Sequence, residues 1–161
     1  MQVSEDGINL TKSFESLKLH SYPDSEGVPT VGWGTTHING VPVTLGMTIT
    51  QDEAEEYLRA DYKKFENSIN SLVKVELSQQ QFDAVADFVY NEGPTHFASS
   101  TLLKLINESD FENAKNEFIK WDKAGGHVLS GLLRRRQAEA DLFEKGTQSI
   151  SGDNNDDSNG N

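Results

Sequence analysis

The spacing of apolar residues predicts a largely helical chain. Two helices begin with a capping box, in which a Ser or Thr side chain caps the helix and a Glu or Gln three residues later reaches back. One begins at Thr50 and the other at Ser78, and both continue with apolar residues along one face. The first of these is long enough to bridge two lobes. The same periodicity predicts further helices over residues 4–16, 99–107, 111–122 and 130–145, the last ending at Gly146.

A different pattern occupies residues 19–44. Pro and Gly recur there, with β-branched and aromatic residues between them, which is typical of short strands and tight turns. Asn39-Gly40 predicts a hairpin turn, because both residue types accept positive φ. The sequence therefore predicts an α+β fold, in which a small Gly/Pro-rich antiparallel sheet lobe is joined by a long helix to a mostly helical lobe. We expect the sheet lobe over about residues 17–48, and the helical lobe over about 51–146 together with the N-terminal helix.

The end of the chain differs in composition from the rest. Residues 147–161 contain one apolar residue and neither Lys nor Arg, with Asn, Asp, Gly and Ser in most positions. Such a segment has too little apolar surface to offset the entropy of ordering, so it predicts a disordered acidic tail. The folded domain is then expected over residues 1–146.

Composition narrows the function further. The net charge of −12 disfavours a nucleic-acid partner, because phosphates bind basic surfaces. The chain has no cysteine and four scattered histidines, so we expect no metal site and no cofactor. No apolar run approaches the ~18 residues of a membrane span, and the polar N-terminus has none of the features of a signal peptide. These observations predict a cytoplasmic location in the cell that makes the protein.

Two carboxylic residues stand in contrasting surroundings. Glu15 ends the first predicted helix among apolar residues, which disfavour the charged form of a carboxyl group. Asp24 lies in a polar turn, where it should stay ionised. Glycoside hydrolysis uses such a pair, one acid that protonates the leaving oxygen and one carboxylate that activates water or attacks the sugar. The spacing alone is weak evidence, because solvated carboxylates are common at helix ends and in turns.

Glu15, Asp24 and Thr30 together resemble the catalytic Glu–Asp–Thr pattern of the phage-type lysozymes, glycoside hydrolase family 24. Similarity to the family runs from about residue 4 to 145 and is strongest to the hydrolytic endolysins of lambdoid phages. The matching segments are residues 13–19, 22–24, 29–36, 46–50, 88–103 and 131–143. The resemblance implies a lysozyme-like fold and a muramidase, which hydrolyses the β-1,4 bonds between N-acetylmuramic acid and N-acetylglucosamine in bacterial peptidoglycan.

The resemblance also implies a role for each of these three residues. Glu15 would be the general acid, and Asp24 would activate the attacking water, which Thr30 helps to hold. The reaction would invert the anomeric centre. Many relatives have His where this chain has Thr35, so the ion pair that such a His would form is not expected here.

Four further positions are candidates for substrate binding or support. Asn91 and, less clearly, Ser100 match positions that could bind the sugar, and Arg136 matches an arginine that approaches the catalytic Glu. Trp33 suits either stacking on a sugar or a place in the core. Arg136 could equally be a simple partner of Glu139.

The partners follow from the same resemblance. An endolysin of this kind would act as a monomer on the peptidoglycan glycan strand and lyse the host cell. It would depend on a holin-type permeabilising protein to leave the cytoplasm. Two alternatives stay open, a lytic transglycosylase, which uses one Glu and forms an anhydro sugar, and a non-catalytic peptidoglycan-binding module.

Overall fold

A computed structural model describes the backbone of residues 1–159 and the side chains of residues 1–149. Seven helices, one 3-10 turn and three two-stranded antiparallel sheets follow one another along this part of the chain, which confirms the α+β class. In order they are α1 (Glu5–Phe14), β1 (Lys18–Pro23), β2 (Pro29–Gly32), β3 (His37–Ile38), β4 (Val41–Pro42), α2 (Gln51–Leu72), α3 (Gln79–Glu92), α4 (Pro94–Ala98), α5 (Thr101–Asn107), α6 (Phe111–Phe118), the 3-10 turn (Ile119–Trp121), β5 (Lys123–Ala124), β6 (His127–Val128) and α7 (Ser130–Asn159).

The chain divides into two compact units. The sheet unit comprises Asn9–Lys64, and the helical unit comprises Met1–Ile8 and the chain from Phe65 onward. Both boundaries lie inside helices, α1 and α2, whereas the sequence placed them at helix ends. A helix as long as α2 presents different side chains to different clusters along its length, which the apolar spacing alone does not reveal.

The sheet unit is organised around β1. This strand pairs with β2 along one edge, and the backbone amides of Ser21 and Ile49 extend the pairing on the other edge, to Met47 and Leu19 respectively. Gly32 has a φ of +69°, and a Cβ there would lie 3.4 Å from Ala54 of α2. A side chain at this position would therefore be strained, and the glycine lets the sheet lie close to the helix. The predicted hairpin turn is confirmed, with φ of 51° and 79° at its two central residues.

The helical unit is built on α3, whose residues 81–89 are all buried. Phe88 lies in the centre of an aromatic cluster, with ring centroids of Phe118 and Trp121 at 5.8 and 5.5 Å in edge-to-face geometry. The capping box at Ser78 is present as predicted, with both of its hydrogen bonds formed, and Gly93 ends the helix. Thr50 likewise caps α2, with reciprocal bonds to Glu53 of 3.0 and 3.1 Å.

The expectation that the last helix ends at Gly146 is wrong. Helix α7 continues to Asn159, and it includes residues 147–159 of the segment that the sequence predicts as a disordered tail. Gly146 is buried, and a Cβ there would lie 2.9 Å from the backbone nitrogen of Gln81 and against the Ser78 hydroxyl. The glycine therefore serves close packing of α7 on the start of α3. Within residues 1–159, no helix combines the length and the hydropathy that a membrane span needs.

Candidate active site

The carboxylate of Asp24 holds the turn between β1 and β2. Its Oδ1 accepts hydrogen bonds from the backbone amides of Glu26 and Val28, at 2.8 and 2.9 Å. The backbone amide of Asp24 in turn donates to the Val28 carbonyl at 2.9 Å. Gly27 completes the loop with a φ of +84°. One carboxylate oxygen is thus committed to the turn, while Oδ2 forms no hydrogen bond with any residue whose side chain or backbone the structure describes.

Thr30 is bonded to Val28 as well. It lies on β2, is 4% exposed, and its hydroxyl donates to the Val28 carbonyl at 2.8 Å. Because the only hydroxyl proton is used in this bond, Oγ1 can only accept a further hydrogen bond. Asp24 and Thr30 are therefore fixed relative to each other through Val28, and each offers an acceptor oxygen.

Glu15 follows directly after α1. Its backbone amide donates to the Thr11 carbonyl at 2.9 Å, which continues the last helical turn. Thr11 is buried, and its side chain is hydrogen-bonded to the Tyr62 hydroxyl of α2, so the end of α1 is anchored within the sheet unit. The Glu15 side chain itself is half-buried.

Tyr22 links these residues electrostatically. Burial raises the pKa of its phenol, and the negative charges of Glu15 and then Asp24 raise this pKa further. Both carboxyl groups consequently lie within electrostatic range of one side chain. No role was predicted for Tyr22, although its place two residues before Asp24, on the strand that leads into the turn, was a usable signal because alternate strand residues share a face.

Trp33 belongs to the core of the sheet unit. It is 6% exposed, and the Lys12 ammonium lies 4.7 Å from the centroid of its ring. Lys12 also forms an ion pair with Glu55 of α2. Of the two roles that the sequence left open for Trp33, this burial favours packing over stacking on a sugar.

Thr35 takes part in a hydrogen bond to a carboxylate. Its buried hydroxyl donates to Oδ2 of Asp61 on α2 at 2.9 Å. Desolvation raises the pKa of Asp61, and the Thr35 hydrogen bond together with the charges of Lys64 and His37 opposes the rise. Asp61 is therefore bonded to a neutral hydroxyl, that of Thr35, at the position where many relatives have His.

The remaining candidates lie in the helical unit. Asn91 is half-buried near the end of α3, and its Oδ1 is enclosed without a hydrogen-bond partner among the described residues. Ser100 caps α5, since its hydroxyl accepts from the Leu103 amide at 3.1 Å and donates to the Phe97 carbonyl at 2.7 Å. Because the Ser100 hydroxyl both donates and accepts within the protein, a structural role for this residue is favoured.

Arg136 is fully buried in a network of charged side chains. Its guanidinium binds both carboxylate oxygens of Glu139, at 2.7 and 2.8 Å, and binds Glu92 at 2.8 Å. Arg135 beside it forms a two-pronged bond to Asp87, with both distances 2.9 Å. Burial raises the pKa of Glu139 well above its usual range, Asp87 raises it further, and the two arginines oppose the rise. The pairing of Arg136 with Glu139, which the sequence left open, is present.

Comparison with known proteins matches the chain to one family over most of its length. The family model described as Phage lysozyme matches residues 12–139, a range that contains every candidate residue above. The endolysin of Salmonella phage P22 is 41% identical over 144 residues, covering 89% of this chain and 98% of that protein. The endolysin of Bacillus phage B103 is 43% identical over 148 residues, but these correspond to 91% of this chain and only 55% of the relative. The chain thus spans about half the length of that relative.

Solved structures agree with the sequence matches. An endolysin from the Escherichia coli O157:H7 phage FAHEc1 superposes with a TM-score of 0.82 at 39% identity, covering 89% of this chain and 93% of the other. A mutant of P22 lysozyme superposes with a TM-score of 0.78 at 41% identity, covering 89% and 98%. Sequence and fold lead to the same assignment: the chain belongs to the phage lysozyme family of glycoside hydrolases.

Proposed function

We propose that this protein is an endolysin that hydrolyses the β-1,4 bonds between N-acetylmuramic acid and N-acetylglucosamine in peptidoglycan. Family membership supports hydrolysis of a glycan, and the names of the relatives support a role in phage lysis. One observation carries the residue assignment: the Asp24 carboxylate accepts from the Val28 amide, the Thr30 hydroxyl donates to the Val28 carbonyl, and each side chain keeps an acceptor oxygen. Such a pair of acceptors suits a single water molecule.

A water that attacks a sugar carbon must direct a lone pair at it. Its two protons must then be held elsewhere, each by an acceptor at hydrogen-bond distance. Oδ2 of Asp24 and Oγ1 of Thr30 provide these acceptors. The other carboxylate oxygen of Asp24 already accepts from the Glu26 and Val28 amides, and the hydroxyl proton of Thr30 is already donated to the Val28 carbonyl. Asp24 then takes the proton that the water loses, and Thr30 keeps the water in place.

Glu15 supplies the second proton. As the water oxygen bonds to the anomeric carbon, the bond from that carbon to the leaving oxygen breaks, and Glu15 protonates the leaving oxygen. The pair of carboxyl groups carries one negative charge throughout, first on Asp24 and afterwards on Glu15. Because the water enters opposite the leaving group, the anomeric centre inverts, for which the carboxyl groups need a separation of ~6.5–9.5 Å.

Asn91 is the substrate contact that we propose on the helical unit. Its enclosed amide oxygen has no hydrogen-bond partner among the described residues, and an acetamido N–H of the glycan would supply one. Arg136 would act indirectly, by keeping the end of α3 in place through Glu92. We further propose that the protein works as a monomer and is made in the host cytoplasm. A holin-type protein would then release it to the wall.

The decisive experiment is mass spectrometry of purified peptidoglycan after digestion with the wild type, Glu15→Gln and Asp24→Asn. Asp6→Asn and Glu26→Gln are matched controls, because each removes an exposed carboxylate with no proposed role. We expect reducing-end muropeptides from the wild type and both controls, and none from the two site variants.

Other products would assign another function. Anhydro-muropeptides, with Asp24→Asn still active, would identify a lytic transglycosylase. Wild-type protein that binds the wall without cleaving it would identify a binding module. For hydrolysis, NMR of the first product should show the α-anomer at the new reducing end, and a β-anomer would contradict inversion.

A further inference from the structure

Tyr22 lies close to both acceptor residues in the β-hairpin. In the β1–β2 pairing its direct partner is Thr30, and Asp24 follows two residues later along the chain. Directly opposite residues of an antiparallel pair have Cβ atoms ~4.5–5.5 Å apart on one face. The register of the hairpin is irregular between Lys18 and Tyr22, and irregularities of this kind re-aim side chains. The hairpin thus places a phenol beside the proposed water site.

The hydroxyl of Tyr22 has no partner within the described part of the protein. The side chain is half-buried, yet no residue there forms a hydrogen bond with it. Burial, and then the negative charges of Glu15 and Asp24, raise the pKa of the phenol, so the phenol is neutral at and below neutral pH. An unused neutral donor and acceptor therefore lies beside Thr30 and Asp24.

On the basis of the hydrolytic function proposed above, we propose that Tyr22 is a substrate-positioning residue, whose hydroxyl forms a hydrogen bond with the sugar at the cleavage point. Sugar hydroxyl and acetamido groups both donate and accept hydrogen bonds, and a neutral phenol can match either polarity. A charged side chain at this position would instead disturb the ionisation of Asp24 or Glu15. The phenol can therefore hold the sugar without changing which carboxyl group carries the charge.

Tyr22→Phe is the test, because it removes the hydroxyl and keeps the ring. Tyr57→Phe is the matched control, since among the described residues the Tyr57 hydroxyl donates only to Glu53 of the same helix, at 3.3 Å. One neutral hydrogen bond corresponds to roughly a three- to tenfold effect, so we expect kcat/KM of Tyr22→Phe to fall by about that factor. Both limbs of its pH–rate profile should stay where they are in the wild type, and Tyr57→Phe should match the wild type throughout.

Binding to a catalytically inactive protein separates this proposal from the hydrolytic mechanism. Calorimetry of chitooligosaccharide binding should show Kd roughly three- to tenfold higher for Glu15→Gln/Tyr22→Phe than for Glu15→Gln alone. Unchanged Kd and kcat/KM would overturn the role of Tyr22. A pH–rate profile with displaced limbs would also overturn it, because Tyr22 would then act as an electrostatic partner of the carboxyl groups. Hydrolysis that survives Glu15→Gln would refute the proposed function, while the comparison of Kd values would still decide whether Tyr22 binds sugar.

Discussion

A substitution at Thr30 should change the rate of the reaction while leaving the stability of the fold almost unchanged. Thr30→Val replaces the hydroxyl by a methyl group of similar size, at a position that is 4% exposed. The variant loses one hydrogen bond, which contributes about 0.5–1.5 kcal/mol, and gains a buried methyl group worth about 0.8 kcal/mol. The Val28 carbonyl is not left without a partner, because the Asp24 amide still donates to it at 2.9 Å. The free energy of unfolding should therefore change by less than about 1 kcal/mol.

Activity should respond very differently. Without Oγ1 the attacking water has one acceptor in place of two, and misplacing a reacting group costs about 10²-fold in rate. We expect kcat of Thr30→Val to fall by about that factor, measured as reducing ends released from purified peptidoglycan. Thr30→Ser should do the opposite, since it keeps the hydroxyl and loses the methyl group. It should retain kcat within a few-fold and lose about 1 kcal/mol of stability in urea unfolding.

The reasoning fails if the two variants do not separate in this way. A Thr30→Val protein with near wild-type kcat would show that the water does not need the hydroxyl. A variant that loses activity only in proportion to its stability would assign Thr30 a structural role. Equal loss of kcat in Thr30→Ser would point to the methyl group instead of the hydroxyl.

Two further predictions concern the helical unit. Gly146→Ala should lower the free energy of unfolding by about 1–3 kcal/mol, because the new methyl group meets the Gln81 backbone at 2.9 Å. Gly131→Ala in the same helix should be neutral or slightly stabilising, because its new methyl group would only touch the end of the Arg134 side chain, at an ordinary contact distance of 3.9 Å. Equal effects in urea melts would contradict the packing of α7 on α3. The folded state binds the Glu139 proton more tightly than the unfolded chain, since its pKa lies well above 4.5, so stability should fall as pH rises above that value. Glu139→Gln should make this slope shallower, and an unchanged slope in unfolding followed between pH 5 and 8 would refute the assignment.

The local elements of the fold were predictable because their signals are local. The capping boxes at Thr50 and Ser78 and the Asn39-Gly40 turn depend on residues within four positions of each other. Gly146 shows the limit of such signals. A glycine after an apolar run can end a helix or admit a neighbouring element, and only the contact with α3, more than sixty residues earlier, distinguishes the two.

Several roles in the site were beyond prediction for a related reason. Val28 acts through its backbone carbonyl and amide, so no side-chain pattern marks it. Trp33 presented the same sequence signal for core and for sugar stacking, and only its 6% exposure favours the core. Ser100 carried a usable signal, since Ser is a preferred N-cap residue and an apolar run follows it.

The recognisable spacing of the site residues has a structural origin. Five residues separate Asp24 from Thr30, and the whole interval is one hairpin turn closed through Val28. An insertion there would break the hydrogen bonds that aim both acceptors, so this part of the pattern depends only on local geometry. Eight residues separate Glu15 from Asp24, but their relative position depends on the anchoring of α1 to Tyr62 and on the register of β1. The relative position of Asp24 and Thr30 is therefore set by a short local segment, whereas the position of Glu15 relative to them follows only from the packed sheet unit.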